Sequence, residues 1–197
     1  VVSVINAILE TKKNLNHGPI TQQEILEKVK AAHWKERMGT NGYNGRRGLP
    51  LDVLGQVVKA SLDAYNIHYH CLEIIQAQGG REASLPVRAS LLSRLKQFET
   101  QGNCLIIAHF DQGSFVPELN IPHISPVGGF DPFTQKVTLL DVDPFQPHPY
   151  QISFDTFYNG ISTQYHHVFK HFGYGRGGYI FIQLHPSAEI IPPLQTL

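Results

Sequence analysis

The sequence predicts an α+β fold in which a helical lobe precedes an antiparallel β-sheet lobe. Two observations predict it. Helical spacing of apolar residues dominates the first half of the chain, and short β-branched runs bounded by Gly, Pro and Asp dominate the second. No internal repeat interrupts that order. Composition agrees with a globular chain: 42% of the 197 residues are hydrophobic and 16% are charged. The length suits one large domain or two small ones.

The elements follow in order. Val1, Val4, Ile5, Ile8 and Leu9 have helical spacing, so residues 1–14 read as a helix ending near Asn16-His17-Gly18-Pro19. No cap residue precedes Val1 and no initiator Met is present, so further residues of this domain are expected upstream. A removed signal peptide is compatible with that start, although nothing here shows one. Thr21 and Glu24 form a capping box that opens a helix through about Ala32. GTNGYNGRRGLP, residues 39–50, is a Gly-rich loop. It follows no strand and lacks Gly-Lys-Ser/Thr, which excludes a phosphate loop and leaves a mobile loop beside a site or an ordinary connector.

Pro50 and Asp52 open a helix through about Tyr65, with Leu51, Leu54, Val57, Val58 and Leu62 on one face. IHYHCLEI reads as a strand. Ser84 is the expected cap of a helix that turns Leu91, Leu92, Leu95 and Phe98 to the core. CLIIAHF, HISPVGGF, KVTLLDV and GGYIFIQL read as strands, with a short helix at FDTFYNGIS between the last two.

Charge and motif content exclude several functions. Sixteen basic and sixteen acidic residues balance, and no basic run stands out, so nucleic acid is not an expected partner. No apolar stretch reaches the length of a transmembrane helix. Cys71 and Cys104 each sit in an apolar run and outside any C-x-x-C pair, which reads as two small core residues, with one disulfide between them left open. Among the eleven histidines, His68 and His70 share a strand face. His166, His167 and His171 crowd one stretch, with His167 and His171 at i, i+4 spacing. A zinc site needs further ligands that no motif supplies, so metal ligands are left unassigned.

The pair that invites chemistry is His123 and Asp141. GGFDPFTQK lies between them as a turn with an apolar run on either side. A hairpin folded about Pro132 sets the two residues opposite each other, with Cβ atoms roughly 4.5–5.5 Å apart. A carboxylate so placed orients an imidazole, which is half of a nucleophile-activating triad. A half-buried His and an Asp that ends a strand account for the same spacing.

HISPVGGFDPFTQKVTLLDV resembles the catalytic hairpin of phytochelatin synthases, in which a His-[FI]-S-P-[IV]-G-G-[YF] strand precedes an apolar strand ending Leu-Asp-Val. SVINAIL is similar to the helix after that family's nucleophile, GNCLIIAHF to the strand before its His, and GRGGYIFI to the strand that closes its catalytic domain. The resemblance is weak over 10–50 and strong over 103–184. It implies a papain-like fold with a Cys-His-Asp triad, His123 as general base and acid, and Asp141 as its orienter. The family's Cys-Gly-x-Ala-Ser segment would end just before Val1, so the nucleophile and the oxyanion Gln are expected upstream of this sequence. Neither Cys71 nor Cys104 matches the nucleophile.

The implied reaction is acyl transfer from glutathione through a Cys thioester. Transfer to a second glutathione makes phytochelatin, and transfer to water releases γ-glutamylcysteine. Glutathione and other γ-glutamyl peptides are the implied substrates. No tightly bound cofactor is implied; Cd²⁺ or Zn²⁺ is expected as the glutathione thiolate. Arg176 would pair with a substrate carboxylate and Tyr179 would line the same pocket. After Leu-Asp-Val the family continues with a basic stretch, where this chain has Asp143-Pro144-Phe145-Gln146, a change that favours hydrolysis or another γ-glutamyl or peptide substrate. The short tail IIPPLQTL in place of a Cys-rich region implies a bacterial-type member, with 1–197 a single catalytic domain that is incomplete at its N-terminus. Two other readings remain: a catalytically inactive member that binds thiols or metal, and a general papain-like peptidase. The latter leaves Ser-Pro-Val-Gly-Gly unexplained. Cytoplasm or periplasm, and monomer or homodimer, are left open.

Overall fold

The computed structural model describes residues 1–11, 18–119, 121–141, 148–163 and 175–185. Among the described residues, six α-helices and six strands run in the order α1 (Val2–Thr11), α2 (Gln22–Lys28), α3 (Trp34–Met38), α4 (Leu51–Ala64), β1 (Tyr69–Gln76), α5 (Arg81–Gln101), β2 (Cys104–Asp111), β3 (Pro122–Asp131), β4 (Lys136–Leu139), β5 (Tyr150–Ser153), α6 (Phe154–Ile161) and β6 (Gly178–Leu184). The strands form one sheet in the order β1-β6-β2-β3-β4-β5, and every neighbouring pair is antiparallel. The fold is α+β, as the sequence predicts.

Period-two alternation along the central strands divides the core between the two faces of the sheet. Ile107, Ile180 and Ile182 face α1, α2 and α4, where they join Ile5, Ile25, Leu54 and Val58. Ala108, Phe110, Tyr179 and Phe181 face the other way, onto Leu91 and Leu95 of α5 and Phe157 and Ile161 of α6. The early helices therefore close their core on the sheet instead of packing only on each other. Arg94 of α5 lies over the Phe181 ring at 4.3 Å and pairs with Glu73 of β1, clamping helix to sheet.

Several local expectations shift. The capping box at Thr21 and Glu24 forms, but α2 stops at Lys28 instead of reaching Ala32. Val29 is extended, Ala32 and His33 both have φ of 53°, and the buried Trp34 indole donates to the Val29 carbonyl at 2.7 Å. Burying that large ring overrides the helix propensity of the Ala pair. Ser84 does not cap α5: the helix begins at Arg81 after Gly80, and the Ser84 hydroxyl donates to the Arg81 carbonyl from within the first turns. The four-residue β5 escapes periodicity because it is too short to show any.

The Gly-rich loop is a pinned connector. Asn44 (φ 51°) and Gly45 (φ 70°) make a two-residue turn closed by paired bonds between Tyr43 and Arg46. Tyr43 stacks on His33 with ring centroids 4.0 Å apart, and the Gly48 amide donates to the Arg37 carbonyl. Cys71 and Cys104 are both free. Both pair with Gln183 of β6, from opposite sides. Two strand spacings, about 10 Å, separate them and exceed the span of a disulfide. The end of the first helix at 12–17 and the tail at 190–197 lie outside the described residues.

Candidate active site

The site is built from the β3–β4 hairpin outward. Asp131 shapes the turn: its carboxylate accepts from the Phe133 amide at 2.9 Å and from the Thr134 hydroxyl at 2.6 Å. The ladder beyond it pairs Asp131 with Lys136, Phe130 with Val137 and Gly129 with Thr138, a register displaced from one centred on Pro132. Between Gly129 and Val127 the register shifts, because Val127 pairs with Leu139 and leaves Gly128 as an extra residue. That residue is a β-bulge, and it decides which face the later side chains take. Val127 and Phe130 are both buried in one core although odd and even residues should face apart. Val127, Ser125 and His123 therefore share the face of Val137, Leu139 and Asp141. An unbulged hairpin would set Asp141 on the face of Ile124. Gly128 also leaves room for Leu140, since a Cβ there would stand 2.5 Å from Leu140 Cδ2.

His123 and Asp141 are not the directly opposed pair that the sequence suggests, because β4 ends at Leu139. They meet all the same: His123 Nε2–H donates to Asp141 Oδ1 at 2.6 Å. The His123 side chain is 13% exposed and that of Asp141 fully buried. With Nε2 committed to the carboxylate, Nδ1 is the ring nitrogen left for a second partner. The ring edge packs on Phe110 at 5.5 Å between centroids.

A cavity of about 580 Å³ opens beside this pair. Val1 and Val2 at the start of α1, Trp34, Leu49, His109 and His123 contribute to its lining. That volume is in the range of small-molecule sites. His109 is fully buried in the apolar strand β2, and its Nε2–H donates to the Leu49 carbonyl at 3.1 Å. Burial is the main cause that lowers its pKa to about 4, so it is neutral at pH 7.

The remaining predicted residues lie elsewhere. Arg176 is half-buried and does not line the cavity, though it precedes the glycines that bring β6 to the His109 end of β2. Tyr179 corrects the expectation of a pocket residue. It pairs with Ala108 and so faces the α5 core, opposite His109; it is fully buried and its hydroxyl lies 3.4 Å from Ser90 Oγ. Among the described residues no three His, Cys, Asp or Glu side chains gather to hold a metal. His70 and His185 meet edge to face at 5.9 Å. His166, His167, His171 and the Asp143–Gln146 stretch lie outside the described residues.

Sequence reasoning missed three residues here. Gln112, buried after β2, extends Nε2 toward Asp141 Oδ2 at 3.4 Å. Tyr150 of β5 brings its hydroxyl beside the same carboxylate, and burial, then the Asp141 charge, pushes it well above the ordinary phenol range. Neither has a local signal, since each comes from another strand end. His109 did carry one: it is a polar residue inside the apolar run CLIIAHF.

The fold and this hairpin define an α+β protein with an oriented imidazole at the rim of an apolar cavity. Comparison with known families gives that class its name. The family model described as Phytochelatin synthase matches residues 41–174, more than half of the chain and inclusive of His123 and Asp141, and the chain belongs to that family. The family comprises glutathione γ-glutamylcysteinyltransferases, so glutathione is the substrate class it implies. No curated protein matches the chain.

Proposed function

We propose that this domain performs acyl transfer from glutathione through a cysteine thioester, on a papain-like framework. The observation that carries the reading is the 2.6 Å bond from His123 Nε2 to Asp141 Oδ1 beside a cavity that α1 enters. A thiol on a segment leading into Val1 would approach that cavity, and Nδ1 of His123 would take its proton. The thiolate attacks the carbonyl of the Cys–Gly amide. His123 then returns the proton to the departing glycine amine, leaving a γ-glutamylcysteinyl thioester. Asp141 holds the ring and balances the imidazolium. A second glutathione amine, or water, gives up a proton to His123 and releases the acyl group. Cd²⁺ or Zn²⁺ enters as the glutathione thiolate, hence as part of the substrate. Arg176 stands at the same end of the sheet as His109 and is proposed to pair with a substrate carboxylate.

The test is incubation of the full-length protein with glutathione, with and without Cd²⁺, followed by mass spectrometry. Longer γ-glutamylcysteine peptides establish transfer, and γ-glutamylcysteine with glycine alone establishes hydrolysis. His123→Ala should abolish glycine release, and Asp141→Asn should reduce it by a smaller factor, since orientation is lost but the base is kept. Equal turnover in all three proteins refutes the assignment. Absence of product from the native protein would support an inactive member that binds thiols or metal.

A further inference from the structure

Three groups converge on the Asp141 carboxylate, and only His123 is absorbed by the proposed chemistry. The other two arrive from separate elements. Gln112 lies in the one-turn helix Gln112–Ser114 that follows β2, and its backbone amide donates to the Ile121 carbonyl at 3.1 Å. Its side chain is 1% exposed. Its Nε2 points at Oδ2, the oxygen that His123 does not use. Asp111, just before it, bonds instead to the Gly113 amide at 2.9 Å, which fixes the turn. Tyr150, at the start of β5, is seated by Phe115 with ring centroids 5.6 Å apart, and Phe115 in turn rests on Phe110, which abuts His123. The Tyr150 hydroxyl is buried and makes no hydrogen bond among the described residues.

A buried amide and a buried phenol beside one carboxylate are costly to desolvate unless they serve it. Asp141 itself needs such service. It lies just past the end of β4, so the strand ladder does not hold it. A carboxylate bonded through one oxygen keeps its terminal torsion broad until the second oxygen is held as well.

We propose that Gln112 and Tyr150 are positioning residues that fix the Asp141 carboxylate and, through it, the ring of His123. Gln112 donates an amide hydrogen to Oδ2, and Tyr150, whose buried hydroxyl has no bond among the described residues, is left to turn it to the same carboxylate. Neither lines the cavity, so neither touches substrate. This inference rests on the reading of His123 as the base.

The experiment uses the full-length protein with glutathione. Gln112→Met keeps the volume and removes the donor; Tyr150→Phe keeps the Phe115 contact and removes the hydroxyl. Each should lower kcat about ten- to a hundredfold, the range for a lost bond to a charged group, with KM unchanged. A structural role would not predict the second readout: the His123 Nε2–H proton resonance, protected by Asp141, should lose that protection in either variant while Tm stays within a few degrees. Turnover within twofold of native with the resonance still protected overturns the inference. A His123→Ala protein that retains turnover would refute the base assignment instead, and the resonance measured in the two positioning variants still reports on the brace.

Discussion

Acid should unfold this protein through His109, and the size of the effect follows from its burial. His109 is fully buried on β2, and burial lowers its pKa from 6.5 to about 4. In the unfolded chain it titrates near the ordinary value. Between those values the unfolded state binds a proton that the folded state refuses, so stability rises with pH and is lost as pH falls through the window from about 6.5 to about 4. The full gap is worth about 3 kcal/mol, and about 2 kcal/mol of it is spent between pH 7 and pH 5. The assay is guanidinium unfolding at pH 7, 6 and 5 on the native protein and on His109→Gln. The variant does not titrate, and its amide can still donate to Leu49. Other groups titrate in both proteins, so the difference between the two curves isolates His109. The native protein should lose about 2 kcal/mol more than the variant on going from pH 7 to pH 5. A difference between the two that stays constant with pH to within about 0.5 kcal/mol refutes the reasoning.

Two further outcomes follow from packing. Gly177→Ala should cost about 3 kcal/mol or prevent folding, because the added Cβ would stand 2.4 Å from the Ile161 carbonyl oxygen and 2.7 Å from that of His109. Gly79→Ala, whose nearest neighbour is the Ser162 oxygen at 3.9 Å, is the control and should leave the unfolding midpoint nearly unchanged. Iodoacetamide should label the half-buried Cys71 first and Cys104 only on unfolding, since burial shields the Cys104 thiol and pushes its pKa up. A disulfide-linked peptide joining the two in the native protein would contradict their separation by β6.

What the sequence made legible was local. The Thr21–Glu24 capping box, the apolar face of α4 and the apolar runs of β2 and β6 are written in a few adjacent residues, and each formed where expected. The hairpin that joins His123 to Asp141 was legible as a pair but not as a register. The turn centre depends on the bonds that Asp131 makes, and the side-chain faces depend on one extra residue at Gly128. Tyr179 was misassigned for a related reason. GRGGY fixes where β6 begins, but which face its first aromatic takes is set by pairing with Ala108, more than seventy residues earlier. Gln112 and Tyr150 could not be read at all, because their meeting point is a tertiary contact between two strand ends.

On the proposed reading, the two faces of the sheet divide the labour that catalysis demands. His109, Ile107 and the helices α1 to α4 shape the cavity on one side, where a substrate would be held. Asp141, Gln112 and Tyr150 belong to the other side, against the α5 and α6 core, where water and substrate do not reach the carboxylate. His123 can serve both because it sits on β3 before β4 joins, at the end of the sheet where that edge is open. The bulge at Gly128 makes this division work. It keeps Val127 and Phe130 in one core while turning Asp141 to the face of His123. Changes on the cavity side should therefore appear first in KM, and changes on the carboxylate side in kcat, because only the second set acts through the imidazole alone.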